Sequence, residues 1–279
     1  ILEEGISEAN SIASWLASAT SYSHASTPTM PFYIFYSMFG FQRVNDQIWQ
    51  AADARARGFL MGATAGRTTL NGEGLQHQDG HSLLHACTVP YCRSWDPAYA
   101  YELATIIRHG INEMWGENLD VFHYIMLYNQ NEQQPAKPEG IDNEIIKGAY
   151  KIRESKNNDK PLVRLLGSGP ILSHVLEASE ILANYDIDSE VWSVTSYGEL
   201  RREGLESQRT NRLYPDVETS SYVSKCFGDL TTTIAVSDYI IAVPEMIQRW
   251  VGGNYVVLGT DGFGRSDDRT ELRRFFEID

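Results

Sequence analysis

The residues best suited to proton transfer lie in one short segment, residues 67–81. Its sequence, RTTLNGEGLQHQDGH, contains Glu73, His77, Asp79 and His81 together with three glycines. A histidine gains and loses a proton near neutral pH, and a nearby carboxylate orients or tunes it. The segment follows a predicted strand, which is where α/β sheets commonly place ligand sites. A polar loop with turn-forming glycines is the alternative interpretation, and the spacing alone leaves both open.

The same region raises the question of a metal site. His77, His81 and His85 recur every four residues, and Cys87 follows closely. On a helix these side chains would share one face. Zinc sites of this kind usually take a further ligand from elsewhere in the chain, however, and Gly80 weakens a helix at this point. We therefore predict that this chain supplies no metal site.

Glu8 is the second candidate for acid–base chemistry. It is the last charged residue before residues 9–42, a run of 34 positions without Asp, Glu, Lys or Arg. Such surroundings would desolvate the carboxyl group, which favours its protonated form and makes it available as a proton donor. The alternative interpretation is an ordinary acid that stabilises a helix N-terminus.

Charged side chains are sparse in the first half of the chain. The 279 residues include 23 basic and 37 acidic side chains, for a formal net charge of −14, which argues against nucleic acid or an acidic membrane as a partner. Residues 1–140 hold 14 acidic and 7 basic groups, whereas residues 141–279 hold the remaining 23 and 16. The first half therefore has fewer groups to solvate its surface, and we expect another domain or subunit to cover part of it.

Cysteine usage and hydropathy indicate a cytoplasmic protein. Cys87, Cys92 and Cys226 are too few, and an odd number, for a disulfide framework, so we expect reduced thiols. The N-terminus lacks the basic and apolar regions of a secretory signal. Polar residues and two prolines interrupt residues 9–42, so we predict no membrane-spanning helix.

Two series of alternating strands and helices must position these residues. In the first we predict helices at 7–23, 41–56 and 97–115 and strands at 31–37, 58–63 and 121–127. In the second we predict strands at 162–166, 190–195, 233–237 and 255–258 and helices at 174–185, near 198–203 and at 240–251. This alternation predicts an α/β fold of two consecutive open, mainly parallel-sheet units.

The segment between the two series predicts the domain boundary. Residues 129–140, NQNEQQPAKPEG, contain two prolines and no apolar periodicity, which is typical of a linker. The predicted domains are therefore residues 1–128 and 141–279.

Two glycine-rich turns follow strands of the second unit. Residues 167–169, Gly-Ser-Gly, resemble a phosphate-binding turn, but the third glycine of the dinucleotide fingerprint is missing, so a tight strand-to-helix turn is favoured. Residues 259–267 could place Asp261 or Arg265 at a pocket or an interface, or could form a structural loop.

Five stretches carry a resemblance to a known family. They are ILEEGISEA, PFYIFYSMFGFQR, ARGFLMGATAGRTTLNGEGLQHQDGHS, DPAYAYELATI and LGTDGFGRSD. They resemble the homodimeric type of pyruvate dehydrogenase (acetyl-transferring), the thiamine diphosphate-dependent decarboxylating component of the bacterial complex. The resemblance implies two transketolase-like parts, namely most of a pyrimidine-binding domain, truncated at its N-terminal side, and most of a C-terminal domain.

The resemblance also implies roles for individual residues. Glu8 matches the carboxylate that hydrogen-bonds the aminopyrimidine ring nitrogen of thiamine diphosphate. Tyr36 and Phe39 match the aromatic residues that line the aminopyrimidine pocket. His77 matches a histidine that binds substrate or moves protons during decarboxylation and acetyl transfer, and Glu73, in the same motif, tunes that site. The resemblance implies only a loop-shaping part for Asn71, Gln76 and Asp79. His81 is a weaker candidate for a catalytic role than His77.

Cofactor and partners follow from the same resemblance. The cofactor is thiamine diphosphate, with Mg²⁺ bound by a separate N-terminal diphosphate domain, because neither Gln78-Asp79-Gly80 nor Thr260-Asp261-Gly262 reproduces its motif. The isolated chain should therefore be inactive. The implied partners are pyruvate, the lipoyl domain of dihydrolipoamide acetyltransferase and a second copy in a homodimer. Another thiamine diphosphate-dependent 2-oxo acid dehydrogenase, a transketolase relative, or a non-catalytic pairing or scaffold fragment remain as alternatives.

Overall fold

The strands among the described residues form two separate sheets. The computed structural model describes residues 1–70, 72–156 and 159–279. The first unit contains, in chain order, α1 (Glu8–Ala19), α2 (Ser21–His24), β1 (Phe32–Phe35), α3 (Ser37–Asp53), β2 (Phe59–Ala63), α4 (Ser82–Cys87), β3 (Cys92–Trp95), α5 (Ala100–Ile111), a π-helical turn (Asn112–Gly116) and β4 (Phe122–Leu127).

The second unit begins at residue 142. It contains α6 (Asp142–Lys147), β5 (Ala149–Arg153), β6 (Leu162–Gly167), a 3₁₀ turn (Gly169–Ile171), α7 (Leu172–Ala183), β7 (Asp188–Val194), α8 (Tyr197–Leu213), α9 (Tyr222–Phe227), β8 (Thr232–Val236), a 3₁₀ helix (Pro244–Trp250), β9 (Tyr255–Leu258) and α10 (Arg269–Phe276). Within the three described ranges, no helix combines the length and the apolar character needed to cross a membrane.

Both sheets are mainly parallel. The first has the strand order β1-β2-β4-β3 and is parallel throughout. Its central strands β2 and β4 are buried along almost their whole length, as expected for strands covered on both faces. The second has the order β5-β7-β6-β8-β9, in which only β5 runs antiparallel to its neighbour. The predicted α/β fold with two mainly parallel sheets is confirmed.

Some elements differ from the sequence prediction. The short edge strands β3 and β5 and the helices α4, α6, α9 and α10 were not predicted, and the helix predicted at 240–251 is wrong over its first residues. Residues 241–243 form turns, and a 3₁₀ helix begins only at Pro244. Pro244 gives a physical reason, because it has no N–H to donate to the carbonyl of Ile240. The backbone before it makes tertiary contacts instead: the Ile240 N–H donates to the carbonyl of Gly80 at 2.9 Å, and the Ile241 N–H donates to Asp261 Oδ2 at 2.9 Å.

Helix α1 positions Glu8 because a serine begins it. Ser7 Oγ accepts a hydrogen bond from the Asn10 N–H at 3.4 Å, and the acid in the first turn complements the helix dipole. Ile12 and Trp15, further along the helix, are buried in the core. The helix body is thus fixed, while its N-terminal carboxyl lies near the surface.

Buried polar contacts join the two units at the end of β3. Ser196 Oγ donates to the carbonyl of Ser94 at 2.6 Å, and the Asp96 N–H donates to the carbonyl of Thr195 at 2.8 Å. The Gly169 N–H donates to the carbonyl of Asp96 at 3.2 Å. One hydrophobic cluster contains residues of both units. A continuous buried interface, and not the linker alone, therefore sets their relative position.

The Asp96 side chain is fully buried in this interface. Its carboxyl accepts a hydrogen bond from the Tyr128 hydroxyl, which also contacts the Tyr239 hydroxyl at 3.1 Å. Burial raises the pKa of Asp96 to about 7, because it disfavours the charged form more than the Tyr128 hydrogen bond favours it. The folded protein therefore holds a proton on Asp96 at pH values where the unfolded chain has released it.

This proton makes the effect of Asp96→Asn depend on pH. Because the folded-state pKa lies above the ordinary 3.8, the contribution of Asp96 to stability is greatest at low pH and declines as the pH rises through about 7. The Asn amide keeps the shape and does not ionise. The free energy of unfolding of the variant relative to wild type should increase by about 2 kcal/mol between about pH 5 and 8, measured by urea denaturation. A difference that stays constant over this pH range would contradict this account.

Candidate active site

An open cleft on the first unit brings together four of the predicted site residues. It has a volume of about 600 Å³ and is lined by Glu8, Tyr36, Phe39 and His77, among others. Glu8 begins α1, the two aromatic residues lie where β1 passes into α3, and His77 comes from the loop between β2 and α4. The fold thus gathers at one cleft residues that are far apart in sequence.

Three rings form one wall of this cleft. Tyr36 follows β1 and is the N-cap residue of α3, so that Phe39, three residues later, lies on the same side. The centroids of the Tyr36 and Phe39 rings are 6.0 Å apart. The His77 ring meets both nearly edge-on, at 5.4 Å from Tyr36 and 5.0 Å from Phe39. A flat ligand ring could pack against such a surface.

The surroundings of Glu8 correct one expectation from the sequence. The carboxylate does not lie in a charge-free region, because Arg43 Nη1 lies 3.2 Å from both of its oxygens. Arg43 is the first charge after the uncharged run, and α3 brings it back beside α1. Its guanidinium also lies 4.1 Å from the centroid of the Phe39 ring. The Arg43 side chain is 50% exposed, so water screens this ion pair and its contribution to stability is small.

His77 presents a buried nitrogen without a partner. Its Nδ1 is inaccessible to water and makes no hydrogen bond within the part of the chain that the structure describes. Its Nε2 lies 3.9 Å from Glu73 Oε2, which is near enough for electrostatic interaction but beyond hydrogen-bond distance. The imidazole therefore retains hydrogen-bonding capacity on a side chain that lines the cleft.

The neighbouring residues Gln78 and Asp79 shape the loop, as the resemblance implies for Asp79. Asp79 Oδ1 accepts the N–H groups of His81 and Ser82, both at 3.0 Å, and so begins α4. Gln78 Nε2 donates to the carbonyl of Leu70 at 2.9 Å. Gln76 lines the cleft. Asn71 lies outside the described residues.

The three histidines are not gathered into one cluster. His77 contacts the aromatic wall, whereas the ring of His81 lies 5.1 Å from that of His85, and its Nε2 lies 3.1 Å from Gln42 Oε1. Among the described residues, no group of three or more His, Cys, Asp or Glu side chains could hold a metal ion.

Comparison with known proteins identifies the family to which the chain belongs. Residues 1–135 match the family "Pyruvate dehydrogenase E1 component middle domain", and residues 148–279 match "Transketolase-like TK C-terminal domain". The chain is 56% identical to the pyruvate dehydrogenase E1 component of Pseudomonas aeruginosa and 51% identical to that of Escherichia coli. The chain belongs to the pyruvate dehydrogenase E1 component family. The matches to both relatives cover 100% of this chain and 32% of the relative, so the chain spans about a third of their length.

Solved structures support the fold of this pyruvate dehydrogenase family member. Transketolase from Campylobacter jejuni superposes with a TM-score of 0.67 at 16% identity, over 94% of this chain and 36% of the other. A split-gene transketolase, described as an inactive beta4 tetramer, gives a TM-score of 0.64 at 16% identity, over 98% of this chain and 78% of the other. At these identities the likeness concerns the fold alone. Family membership in turn implies an enzyme type that depends on thiamine diphosphate.

One residue of the C-terminal unit, Asp238, was missed by the sequence analysis. In this member of the pyruvate dehydrogenase family, Asp238 contacts the loop that carries His77, and the Arg265 N–H donates to Gln78 Oε1 at 2.7 Å. Residues 259–267 therefore form an interface, one of the possibilities left open. The available signal for Asp238 was its position just after β8, at the carboxyl end of a parallel strand. Residues 167–169 form a buried turn whose Gly169 N–H is used by Asp96.

Proposed function

We propose that the cleft binds the aminopyrimidine part of thiamine diphosphate. The full-length protein that contains this chain is then the decarboxylating component of a pyruvate dehydrogenase complex. It converts pyruvate to carbon dioxide and delivers the acetyl group to the lipoyl domain of dihydrolipoamide acetyltransferase. The observation that carries this proposal is the convergence of Glu8, the Tyr36–Phe39 wall and His77 on one cleft of about 600 Å³.

The chemistry of the lining residues fits such a group. An aminopyrimidine is a flat ring with acceptor nitrogens and an exocyclic amine. The two aromatic side chains offer a stacking surface, Glu8 offers a hydrogen-bonding carboxyl, and the imidazole of His77 lines the same cleft. When bound, thiamine diphosphate supplies the nucleophilic carbon and the electron sink that decarboxylation of a 2-oxo acid requires.

Glu8 would hold a proton at the ring nitrogen of the cofactor. Its side chain, at the start of α1, is 18% exposed, and its present partner Arg43 is half-exposed. Exchanging that weak ion pair for a hydrogen bond to the ring therefore costs little. The core-packed body of α1 keeps the carboxyl in place during the exchange.

His77 would bind substrate and move protons at the same cleft. Its imidazole is oriented by ring contacts with Tyr36 and Phe39, and Glu73 lies 3.9 Å from Nε2. A carboxylate at that distance can orient the imidazole. We assign Glu73 this tuning role and His77 the transfer itself.

We further propose that the diphosphate and its Mg²⁺ are bound by another part of the full-length protein. In this chain the two aspartates that precede a glycine in a comparable loop, Asp79 and Asp261, already have partners. Asp79 accepts N–H groups at the start of α4, and Asp261 accepts the Ile241 N–H. The chain alone should then be inactive. We place its domain limits at residues 1–128 and 141–279, with residues 129–140 as linker.

A second subunit or domain would complete the cleft. Ile6, Phe32 and Ile34 border this side of the molecule and are exposed, with Ile6 wholly in water. Together with the low charge of residues 1–140, this surface supports a homodimer in which the partner covers the site. The three free thiols are consistent with a reducing, cytoplasmic location.

Glu8→Gln tests the proton role directly. In the full-length protein the amide keeps the size of the side chain but cannot share its proton with the ring nitrogen in the same way. We expect kcat to fall about 10²-fold or more, with a small change in KM for pyruvate, in a decarboxylation assay with an artificial electron acceptor. Glu117→Gln, an exposed acid of the same unit, is the control and should retain turnover. Near-normal turnover of Glu8→Gln would exclude the role.

Phe39→Ala tests the stacking surface. Loss of the ring should raise the concentration of thiamine diphosphate needed for half-maximal activity by about tenfold, because an aromatic contact contributes about 0.5–1.5 kcal/mol beyond its buried area. Trp49→Ala removes an exposed aromatic side chain from the same helix, α3, and should leave the half-saturating concentration unchanged. Equal effects of the two substitutions would argue against a cofactor contact at Phe39.

Substrate profiling separates pyruvate dehydrogenase from its rivals. We expect kcat/KM of the full-length protein to be highest for pyruvate and lower for 2-oxobutyrate, with no turnover of a ketose phosphate. A preference for 2-oxobutyrate would indicate a different 2-oxo acid dehydrogenase, and turnover of the ketose phosphate would indicate a transketolase. Inactivity with all three substrates, with cofactor bound, would favour the non-catalytic alternative.

A further inference from the structure

One carboxylate of the C-terminal unit makes four hydrogen bonds to the start of the loop that carries His77. Asp238 Oδ1 accepts hydrogen bonds from the N–H and Oγ1 of Thr68 at 2.8 and 2.7 Å. Asp238 Oδ2 accepts from the N–H and Oγ1 of Thr69 at 3.0 and 2.6 Å. All three residues are almost completely inaccessible to water. Four donors therefore converge on a single buried side chain from the other sheet.

The backbone next to these threonines is built to admit the carboxylate. Gly66 has φ +91°, a conformation that L-residues with a side chain rarely adopt. A Cβ atom at this position would overlap Asp238 Oδ2. The glycine thus serves both the turn and the close approach of Asp238. Burial raises the pKa of Asp238, and the four donors oppose that rise by stabilising the ionised form.

The far end of the loop is fixed by the same unit. The Ile240 N–H donates to the carbonyl of Gly80 at 2.9 Å, and the Arg265 N–H donates to Gln78 Oε1 at 2.7 Å. Residues 66–80 are therefore anchored at both ends by segments that follow β8 and β9. His77 lies between the two anchors and reaches the aromatic wall of the first unit.

We propose that Asp238 is a positioning residue, which holds the 66–80 loop so that His77 meets the cofactor cleft. It contacts neither the cleft nor His77, and it acts through Thr68 and Thr69. The inference rests on the proposed function for the role of His77. It gives the C-terminal unit a definite part in the chemistry, namely to hold a loop of the neighbouring unit.

Asp238→Asn in the full-length protein is the central test. In this variant an NH₂ group replaces one of the two carboxylate oxygens. It faces an N–H and an O–H donor and cannot accept from them, so about half of the four hydrogen bonds are lost. We expect kcat to fall about 10–100-fold, as for a small misplacement of a reacting group, with an unchanged half-saturating concentration of thiamine diphosphate. Hydrogen exchange should quicken at residues 66–80 and remain unchanged at residues 92–95.

A matched control separates this effect from general loosening of the interface. Glu199 also joins the units, through its 2.8 Å ion pair with Arg93, but it does not touch the loop. Glu199→Gln should leave kcat and the exchange of residues 66–80 near wild type. If Glu199→Gln lowers kcat as much as Asp238→Asn does, the role of Asp238 is merely structural and the inference is overturned.

A double-mutant cycle with His77→Ala tests the route of the effect. If Asp238 acts by positioning His77, Asp238→Asn should change kcat little in the His77→Ala background. Full additivity overturns the inference. Should His77→Ala alone leave kcat unchanged, the proposed role of His77 fails, and the exchange measurement still decides whether Asp238 holds the loop.

Thr69→Val is the alternative variant if the Asp238→Asn protein does not fold. It removes one hydroxyl donor, at nearly constant volume, and leaves both backbone contacts in place. We expect the same changes in kcat and exchange at smaller size. Wild-type exchange at residues 66–80 in a folded Thr69→Val or Asp238→Asn protein overturns the inference.

Discussion

Four donors from Thr68 and Thr69 meet the carboxylate of Asp238 at a depth where water cannot replace them. Leaving buried donors unpaired costs about 1–3 kcal/mol each, so a shift of either unit would be penalised at several atoms at once. The nearby Asp96, whose carboxyl takes a hydrogen bond from Tyr128, lies in the same interface. The relative position of the two sheets, and with it the position of the His77 loop, depends on this buried polar contact.

The elements predicted correctly are those whose sequence carries their own signal. Strands β2 and β4 are continuous apolar runs, and the first part of the chain shows the alternation of strand and helix clearly. Strand β3 is four residues long, CRSW, and forms only because β4 offers a free edge. The region 240–251 has an apolar pattern that predicts a helix, but Pro244 lacks the N–H that an α-helix would need at that position. The loop before it is bound instead to Gly80 of the first unit and to Asp261 of its own unit.

The candidate site, like the fold, could be predicted only in part from the sequence. Glu8, Tyr36, Phe39 and His77 were chosen from residue types and from the family resemblance, and the fold gathers them at one cleft. Their roles stay predictions. Arg43 was not anticipated as the partner of Glu8, because 34 positions separate them and only the packing of α1 against α3 brings them together. Asp238 lies about 170 positions from Thr68, and no spacing rule connects residues so distant.

The strength of these contacts is distributed in a way that suits a binding site. The ion pair between Glu8 and Arg43 faces the cleft, is partly exposed, and contributes about 0–1 kcal/mol, so an incoming ring can displace it. The contacts behind the loop are buried, and because they are lost together they resist displacement. Groups that must exchange partners are held loosely, whereas the frame behind them is held tightly. Because binding energy is then not spent on ordering the loop, more of it remains for orienting the substrate at His77.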